Sequence, residues 1–258
     1  MGGSALLYRL YERRLAADLR RRGGAPRHVG VILDGNRRWA RELGMDTSVG
    51  HRRGAAQIDH LLAWARELDI PVVTLWLLST ENLLGRHPDE LADLLGIIED
   101  KVTQLARDAA PDGYRIVPVG QLDALPEQTR GRLLAAEEVS RPHTGGVLHV
   151  AVGYGGREEI AEAVQRLLAE YADKGLDLAG AAERVTPDEI ARHLYTAGMP
   201  DPDLIIRTSG EVRLSGFLLW QSAHAEYYFA DTYWPDFRKV DFLRALRSYA
   251  QRQRRFGR

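Results

Sequence analysis

The stretch HVGVILDGNRRWARELGMDTSVGHRRG, residues 28–54, decides the fold of this chain. Its first six residues, 28–33, carry β-branched and aliphatic side chains on both faces, which is typical of a strand inside a parallel sheet. The strand is expected to break at Asp34-Gly35-Asn36, because Gly35 permits a tight turn and Asn36 can cap the helix that follows. Asp34 is then placed at the carboxyl end of a strand, where open α/β sheets have their ligand sites.

Basic groups follow that turn at once. Arg37 and Arg38 share the space of the unpaired amides of the first helical turn, and guanidinium groups, amides and the helix dipole all favour a phosphate. Asp34 would repel such an anion unless a divalent cation lay between them, so the stretch predicts a metal-bridged diphosphate site. Each residue alone is more typical of a turn, a cap or a solvated helix face. A second basic cluster, Gly50-His51-Arg52-Arg53-Gly54, is expected to bring its backbone close to an anion.

The composition excludes several classes of protein. There is no cysteine, so disulfides, thiolate catalysis and cysteine–metal sites are absent. The formal net charge of −1 creates no general field that would attract nucleic acid. Apolar runs stay well short of the roughly 20 residues that a membrane span needs, and the first residues lack the apolar core of a signal peptide. We expect a soluble, cytoplasmic protein.

Alternating periodicities predict the element order. Helical spacing over 5–22 predicts an N-terminal arm, residues 1–25, that docks through Leu6, Leu10 and Leu15, with membrane-surface contact as the minor alternative. The expected further strands are 72–79, 114–120, 147–156, 204–206 and 217–220, and the expected helices are 54–69, 88–109, 126–139, 157–172, one from 187 and 239–252. Strands that alternate with helices predict one α/β domain, residues 26–258, with a central, mostly parallel sheet flanked by helices.

Polar clusters also follow two later strands. Ser79-Thr80-Glu81-Asn82 ends strand 72–79, although a helix capping box explains the same residues. Arg207 ends strand 204–206, and the loop TSGEVRLSG, residues 208–216, adds Arg213 and Ser215. Two arginines and a serine on a glycine-hinged loop suit a diphosphate clamp, whereas either arginine alone is typical of a surface ion pair. Glu226 completes a metal site or pairs with an arginine.

Five blocks occur in order: HVGVILDGNRRWA, GHRRGA, LSTEN, YGGR and IRTSGEVRLSGFLLWQSAHAE. With them the chain resembles the cis-prenyltransferases, or (Z)-isoprenyl diphosphate synthases, which include the undecaprenyl diphosphate synthases. The resemblance runs from His28 to Gly257. It implies a homodimer of α/β domains with a hydrophobic tunnel, and a Mg²⁺-dependent condensation of isopentenyl diphosphate with an allylic diphosphate. The apolar stripe of helix 88–109 by itself is typical of a hydrophobic core, but the resemblance implies that it forms a wall of the tunnel.

The resemblance also assigns roles. Asp34 matches the aspartate that holds Mg²⁺ on the allylic diphosphate, Asn36 matches the asparagine that assists proton removal, and Asn82 belongs to the polar cluster beside the reacting ends. Glu226 matches a second Mg²⁺ contact. The residues implied to bind substrates are Gly35, Arg37, Arg38, Trp39, His51, Ser79, Thr80, Glu81, Arg207, Arg213 and Ser215, with Arg255 and Gly257 reaching the neighbouring subunit's site.

Departures from the family pattern bear on product length. Leu77 stands where long-chain synthases tend to have alanine on the tunnel wall, and Trp76 adds bulk on the other face of the strand. Thr47 stands where long-chain relatives have arginine, and the spacing near Arg86 differs by one residue. We expect elongation to stop at C15, after one addition to geranyl diphosphate. The alternatives are a longer-chain synthase, irregular coupling of two dimethylallyl units, and a non-catalytic partner subunit.

Overall fold

A parallel sheet of six strands lies at the centre of the part of the chain that the structure describes. The computed structural model describes residues 2–22, 24–108 and 113–252, with side chains from Tyr11 onward apart from Arg22 and Asp108. The strands are β1 (His28–Ile32), β2 (Val72–Ser79), β3 (Arg115–Val119), β4 (Val147–Tyr154), β5 (Leu204–Arg207) and β6 (Glu226–Phe229). Their order is β3-β4-β2-β1-β5-β6, and every neighbouring pair is parallel. The α/β class and the parallel sheet are therefore confirmed.

Helices cover the sheet. They are α1 (Gly2–Arg22), α2 (Asn36–Glu42), α3 (Thr47–Glu67), α4 (Thr80–Gly85), α5 (Pro88–Asp108), α6 (Glu127–Ser140), α7 (Gly156–Asp173), α8 (Leu178–Ala182), α9 (Pro187–Ala191) and α10 (Lys239–Arg252). The period-2 alternation of each strand divides the core between the two faces of the sheet. Val31 packs with α3, α5 and α10 in the larger cluster, and Ile32 packs with Phe217 in the smaller one.

The predicted strand at 217–220 is wrong. Residues 215–220 form consecutive turns, a 3-10 helix follows at Gln221–His224, and the edge strand is β6. Phe217 and Leu218 are fully buried, and Leu218 has a φ of +46°, which is incompatible with an extended strand. A short apolar run indicates burial, but it does not distinguish an extended backbone from a buried turn.

Helix α3 begins earlier than predicted. Its N-cap is Asp46, whose side chain accepts a hydrogen bond from Ser48 N at 2.8 Å. The basic cluster at residues 50–54 therefore lies within the helix and not in a loop that precedes it.

The N-terminal helix packs against α10. Leu15 is buried, as predicted, together with Ala16 and Leu19, while the side chains of Leu6 and Leu10 lie outside the described residues. Arg20 adds an ion pair to Glu67 at 3.2 Å. Among the described residues, no helix combines the length and the apolar character needed to cross a membrane.

Candidate active site

The site forms where the chain connections diverge. After β1 the chain crosses through α3 on the face of the larger cluster, and after β5 it crosses through the segment around Phe217 on the opposite face. Such a switch point leaves a crevice outside the carboxyl ends of the two strands. Ile32 and Arg207 are paired at these ends, so the two predicted clusters around Asp34 and Arg207 meet.

The turn after β1 is held by groups that are distant in sequence. Thr208 Oγ1 donates to Asp34 O at 2.7 Å and accepts from Asp34 N at 2.9 Å. Trp234 N donates to the same carbonyl at 3.0 Å. Gly35 has a φ of +105°, and a Cβ there would lie 2.6 Å from the ring of Tyr233. Only glycine fits this position, because both the backbone conformation and the packing exclude a side chain.

The Asp34 carboxylate lies between two guanidinium groups. Arg207 Nη2 donates to Oδ2 at 2.8 Å, and Arg38 Nη2 lies 3.4 Å from Oδ1. Burial alone would raise the pKa of Asp34, but the hydrogen bond and charge of Arg207 and the charge of Arg38 outweigh it, so the pKa is lowered. Asp34 is therefore an ionised oxygen donor at neutral pH.

The predicted clamp residues Arg207, Arg213 and Ser215 come together in the loop after β5. Arg207 is buried, and its Nη1 donates to Arg213 O at 2.6 Å and to Ser215 Oγ at 2.8 Å. Its Nε is buried with no hydrogen-bond partner among the described residues. Ser209 and Ser215 have φ values of +80° and +52°, and such backbone strain concentrates at functional sites.

The Glu211 carboxylate occupies the space between Arg38 and Arg213. Glu211 Oε1 pairs with Arg38 Nη1 at 2.9 Å, and its Oε2 pairs with Arg213 Nη1 at 2.6 Å. Two guanidinium groups that can share one carboxylate present donors that also suit the oxygens of a diphosphate. Sequence reasoning missed Glu211, because its place between the arginines follows from the loop conformation.

The opposite side of the mouth is built from α3, α4 and α5. Arg86 Nη1 pairs with Glu90 Oε1 at 2.6 Å, and Arg37 lies 3.7 Å from the same oxygen. His51 is buried with Nε2 3.4 Å from Arg86, and burial together with the Arg86 charge lowers the pKa of His51 to about 4. His51 is therefore neutral at pH 7, and Arg86 lines the cavity despite its shifted spacing.

Asn36 does not cap α2. It is the first helical residue, Gly35 occupies the N-cap without a side-chain bond, and Asn36 Nδ2 donates to Leu33 O at 3.2 Å. The glycines of the 50–54 cluster serve this packing: a Cβ at Gly50 would lie 2.2 Å from Asn36 O, and one at Gly54 would lie 2.4 Å from Asn36 Oδ1. The expected close approach of that backbone to an anion is therefore wrong; the glycines let α2 and α3 touch. The Asn36 side chain still lines the cavity.

The cluster after β2 divides into capping, structural and cavity residues. Ser79 Oγ caps α4 by accepting from Asn82 N at 3.0 Å, and Ser79, Glu81 and Asn82 all line the cavity. Thr80 is buried and donates to Gly153 O at 3.2 Å, outside the cavity wall. Trp39 likewise lies outside that wall, with Nε1 donating to Asp236 at 2.8 Å. Thr80 and Trp39 thus make structural contacts, and the substrate contacts expected of them stay predictions.

Glu226 lies at the other end of the sheet. It begins β6 and pairs with Leu204, so it stands about three residues, or roughly 10 Å along the strand direction, from the carboxyl edge. It forms an ion pair with Arg252 at 2.9 Å. Within one chain it does not share a cation with Asp34, and that prediction is corrected. Arg255 and Gly257 lie outside the described residues.

Asp34 fits a magnesium site that the substrate completes. The described residues contain no group of three or more histidine, aspartate or glutamate side chains placed to hold a metal. Mg²⁺ is, however, commonly held by one or two carboxylates together with substrate phosphates and water. An ionised aspartate beside an anion clamp meets that requirement.

A cavity of about 630 Å³ joins this polar mouth to an apolar interior. Its deeper wall consists of Ala55, Ile58, Leu77, Leu94, Ile97 and Ile98. The stripe of α5 serves both, since Leu95, Val102 and Leu105 pack in the core, while Leu94 and Ile98 belong to the core and also line the cavity. Trp76 also borders the cavity and stacks on Phe217 with ring centroids 5.2 Å apart. An arginine-rich mouth above an apolar cavity is suited to an anion with a hydrocarbon tail.

Comparison with known proteins gives the same answer. The model of a family described as putative undecaprenyl diphosphate synthase matches residues 32–257. A (2Z,6E)-farnesyl diphosphate synthase from Thermobifida fusca is 58% identical over 252 residues, covering 97% of each chain. Isoprenyl transferase 1 of Streptomyces avermitilis is 53% identical over 252 residues, covering 98% of this chain and 96% of that protein. The crystal structure of lavandulyl diphosphate synthase from Lavandula x intermedia, in complex with dimethylallyl diphosphate, has a TM-score of 0.81 at 34% identity and covers 88% of this chain and 96% of that one.

The chain therefore belongs to the undecaprenyl diphosphate synthase family of cis-prenyltransferases. It is an enzyme that transfers prenyl groups, and prenyl diphosphates are the substrates that fit this family.

Proposed function

We propose that this enzyme catalyses the Mg²⁺-dependent condensation of isopentenyl diphosphate with geranyl diphosphate, which yields C15 (2Z,6E)-farnesyl diphosphate and diphosphate. The observation that carries the proposal is one continuous cavity, with arginines around Asp34 at its mouth and aliphatic side chains at its depth. A charged head and an oily tail are accommodated together only by such a site.

Two diphosphate positions follow from the two sides of the mouth. Arg37, Arg38 and His51 lie on the α2–α3 side and are assigned to the allylic diphosphate. Arg207, Arg213 and Ser215 lie on the clamp and are assigned to isopentenyl diphosphate. The unpartnered Nε of Arg207 supports the second assignment, because a buried donor without a partner is costly until an anion satisfies it.

Asp34 is the residue that would hold Mg²⁺. The ion would neutralise charge on the leaving diphosphate. Because Arg207 and Arg38 already hold the Asp34 carboxylate ionised, the oxygen donor is prepared before substrate arrives.

The side chains of the mouth favour ionisation of the allylic substrate. The bond between allylic C1 and its oxygen breaks, and the arginines stabilise the negative charge that develops on the departing diphosphate. The double bond of isopentenyl diphosphate attacks C1, and loss of a proton leaves the new cis double bond. Asp34, Asn36 and the departed diphosphate are the candidate proton acceptors. The apolar interior keeps water from the cationic carbon.

The size of the cavity supports a short product. At roughly 30 Å³ per water-sized group, 630 Å³ holds about 21 such groups. The cavity includes the mouth, and farnesyl diphosphate has about 24 non-hydrogen atoms, close to that number, whereas a C50 product has about 59. The Leu77 side chain further reduces the room inside the cavity. One excess methylene in a hydrophobic pocket changes the discrimination between two substrates roughly 10–200-fold. The name of the Thermobifida fusca relative supports the same product.

Two further predictions from the resemblance belong to this proposal. We propose a homodimer, in which Arg255 and Gly257 reach the neighbouring subunit's site. A cytoplasmic location also stays a prediction.

Irregular coupling is the second candidate. The structural similarity to lavandulyl diphosphate synthase, solved with dimethylallyl diphosphate, favours testing it. The three residues assigned to isopentenyl diphosphate are all present: Arg207, Arg213 and Ser215. Irregular coupling of two allylic units uses no isopentenyl diphosphate and does not need this site, so their presence argues against it.

Incubation of purified protein with Mg²⁺ and labelled isopentenyl diphosphate tests the proposal. Geranyl, farnesyl and dimethylallyl diphosphates are offered separately, and the products are sized by chromatography. We expect a single C15 product from geranyl diphosphate. Products near C50 would refute the short-chain assignment. A further incubation contains dimethylallyl diphosphate and no isopentenyl diphosphate, and a product there would favour irregular coupling.

A further inference from the structure

The deep wall of the cavity ends at a charged side chain. Lys101 lies on α5 one turn beyond Ile97 and Ile98 and lines the same cavity, although its side chain is only 7% exposed. Its Nζ donates to Asp59 Oδ2 at 2.9 Å and to Gln104 Oε1 at 2.7 Å. An ammonium group buried at the end of an apolar cavity is costly unless it is paired, so this cluster opposes occupation of that end by hydrocarbon.

A second cavity lies on the far side of the same cluster. It has a volume of about 230 Å³, and Asp59 and Gln104 are part of its wall. The remaining wall is mostly apolar and includes Leu62, Leu105 and Leu148. Lys101 thus borders the first cavity, while both of its partners border the second. The cluster therefore lies between the two cavities, with Lys101 buried and Asp59 42% exposed on the outer side.

We propose that the cluster Lys101–Asp59–Gln104 is a polar stop that limits the length of the prenyl chain. The inference rests on the proposed function and extends it, because it names the residues that end elongation where α5 brings Lys101 to the cavity. Leu77 acts from a different element, since it belongs to β2 and not to α5.

The depth of the cavity agrees with this role. Glu90 lies at the mouth beside Arg86, and Lys101 follows eleven residues later on α5, which is about 16 Å at 1.5 Å per residue. A C15 chain contains eleven consecutive carbon–carbon bonds from C1 to its end. With bonds of about 1.5 Å in a zigzag, it extends roughly 14 Å. One further isoprene unit adds about 5 Å and brings the tail against the ammonium group.

The first test measures product length in variants of the cluster. Lys101→Met and the double variant Lys101→Leu/Asp59→Leu remove the charge, the second without leaving an unpaired carboxylate. We expect both to form C20 and longer products, with the ratio of these to C15 raised at least ~10-fold. Lys101→Arg keeps the charge and is expected to keep C15. Lys174→Met removes an exposed lysine that is paired with Glu170 far from the cavity, and it is the matched control.

The second test uses binding, which does not depend on turnover. Calorimetry measures the affinity of farnesyl and geranylgeranyl thiolodiphosphates, which are poor substrates of C15 and C20 length. We expect wild type to prefer the C15 compound at least ~10-fold and Lys101→Met to lose that preference. A wild type that forms no product would sink the proposed function while this comparison still tests the stop. Circular dichroism verifies that each variant is folded.

Two results would overturn the inference. One is an unchanged product length in both charge-removing variants while they remain folded and still perform the first condensation. The other is a wild type that binds the C20 compound as tightly as the C15 compound.

Discussion

Replacing Leu77 by alanine enlarges the cavity at the wall where β2 meets it. The substitution removes three carbon atoms, which at roughly 30 Å³ per group adds about 90 Å³ to a cavity of about 630 Å³. One isoprene unit has five carbons and needs about 150 Å³ on the same scale. The variant therefore supplies somewhat more than half of the volume that another isoprene unit needs. The missing volume must come from displacement of the neighbouring side chains.

The expected change in product length follows because the smaller side chain relieves the overpacking that a longer prenyl chain would cause. Forcing extra methylenes into a packed space costs typically ~1–3 kcal/mol, and 1.4 kcal/mol corresponds to a factor of ten. We expect the C20-to-C15 product ratio of Leu77→Ala to rise roughly 10- to 100-fold. The assay is product sizing with geranyl diphosphate and labelled isopentenyl diphosphate under single-turnover and steady-state conditions. Because Leu77 is only half-buried, we expect a smaller loss of stability than the ~2–5 kcal/mol typical of a fully buried leucine.

The control is Leu178→Ala, which makes the same change at a side chain that is 80% exposed and outside the cavity. It should leave the product unchanged. A Leu77→Ala enzyme that is folded and active, yet no longer in product length than wild type, would refute the reasoning that the wall at Leu77 limits the chain.

Three other predictions concern the mouth. Asp34→Asn keeps the shape but loses the ionised oxygen, and we expect kcat to fall at least ~100-fold with Mg²⁺ present, measured by product formation; near-wild-type turnover would remove Asp34 from its role. Gly35→Ala should destabilise the protein by ~1–3 kcal/mol and reduce activity, because its φ is +105° and Tyr233 blocks the Cβ; Gly44→Ala, with a φ of +67° and open space, should show strain alone in thermal unfolding. His51 has a pKa of about 4 when folded, so the unfolded chain binds more protons between pH 6.5 and 4; stability should be full above pH 6.5 and fall through that window. Urea titrations at several pH values measure the free energy of unfolding. If this free energy falls as steeply with decreasing pH in His51→Asn as in wild type, the prediction is contradicted.

Much of the fold is readable from local pattern. The strand at residues 28–33 is recognisable because both of its faces are aliphatic, and the structure places β1 in the interior of the sheet with neighbours on both sides. The polar residues after three strands are recognisable as one site, because the carboxyl ends of parallel strands meet at one edge. Asp34 and Arg207 accordingly lie 2.8 Å apart.

The wrong predictions share one cause. The run at 217–220 indicates burial, and burial is the same whether the backbone is extended or turned. The glycines at 50 and 54 indicate a close approach, but the approaching group is Asn36 of a neighbouring helix and not an anion. A local pattern states what a residue tolerates, whereas its partner is chosen by the packing of other elements.

The sequence by itself determined the α/β class, the turn at Asp34, the family and the arginines of the mouth, because periodicity, glycine geometry and motif order are local properties of the chain. Only the tertiary structure decided which groups meet. Register places Glu226 at the edge opposite Asp34, and helix packing brings Lys101 to Asp59 across 42 residues of sequence. Such pairings depend on strand order and crossover direction, which are set by the burial of whole faces, and they leave no trace in the neighbouring residues.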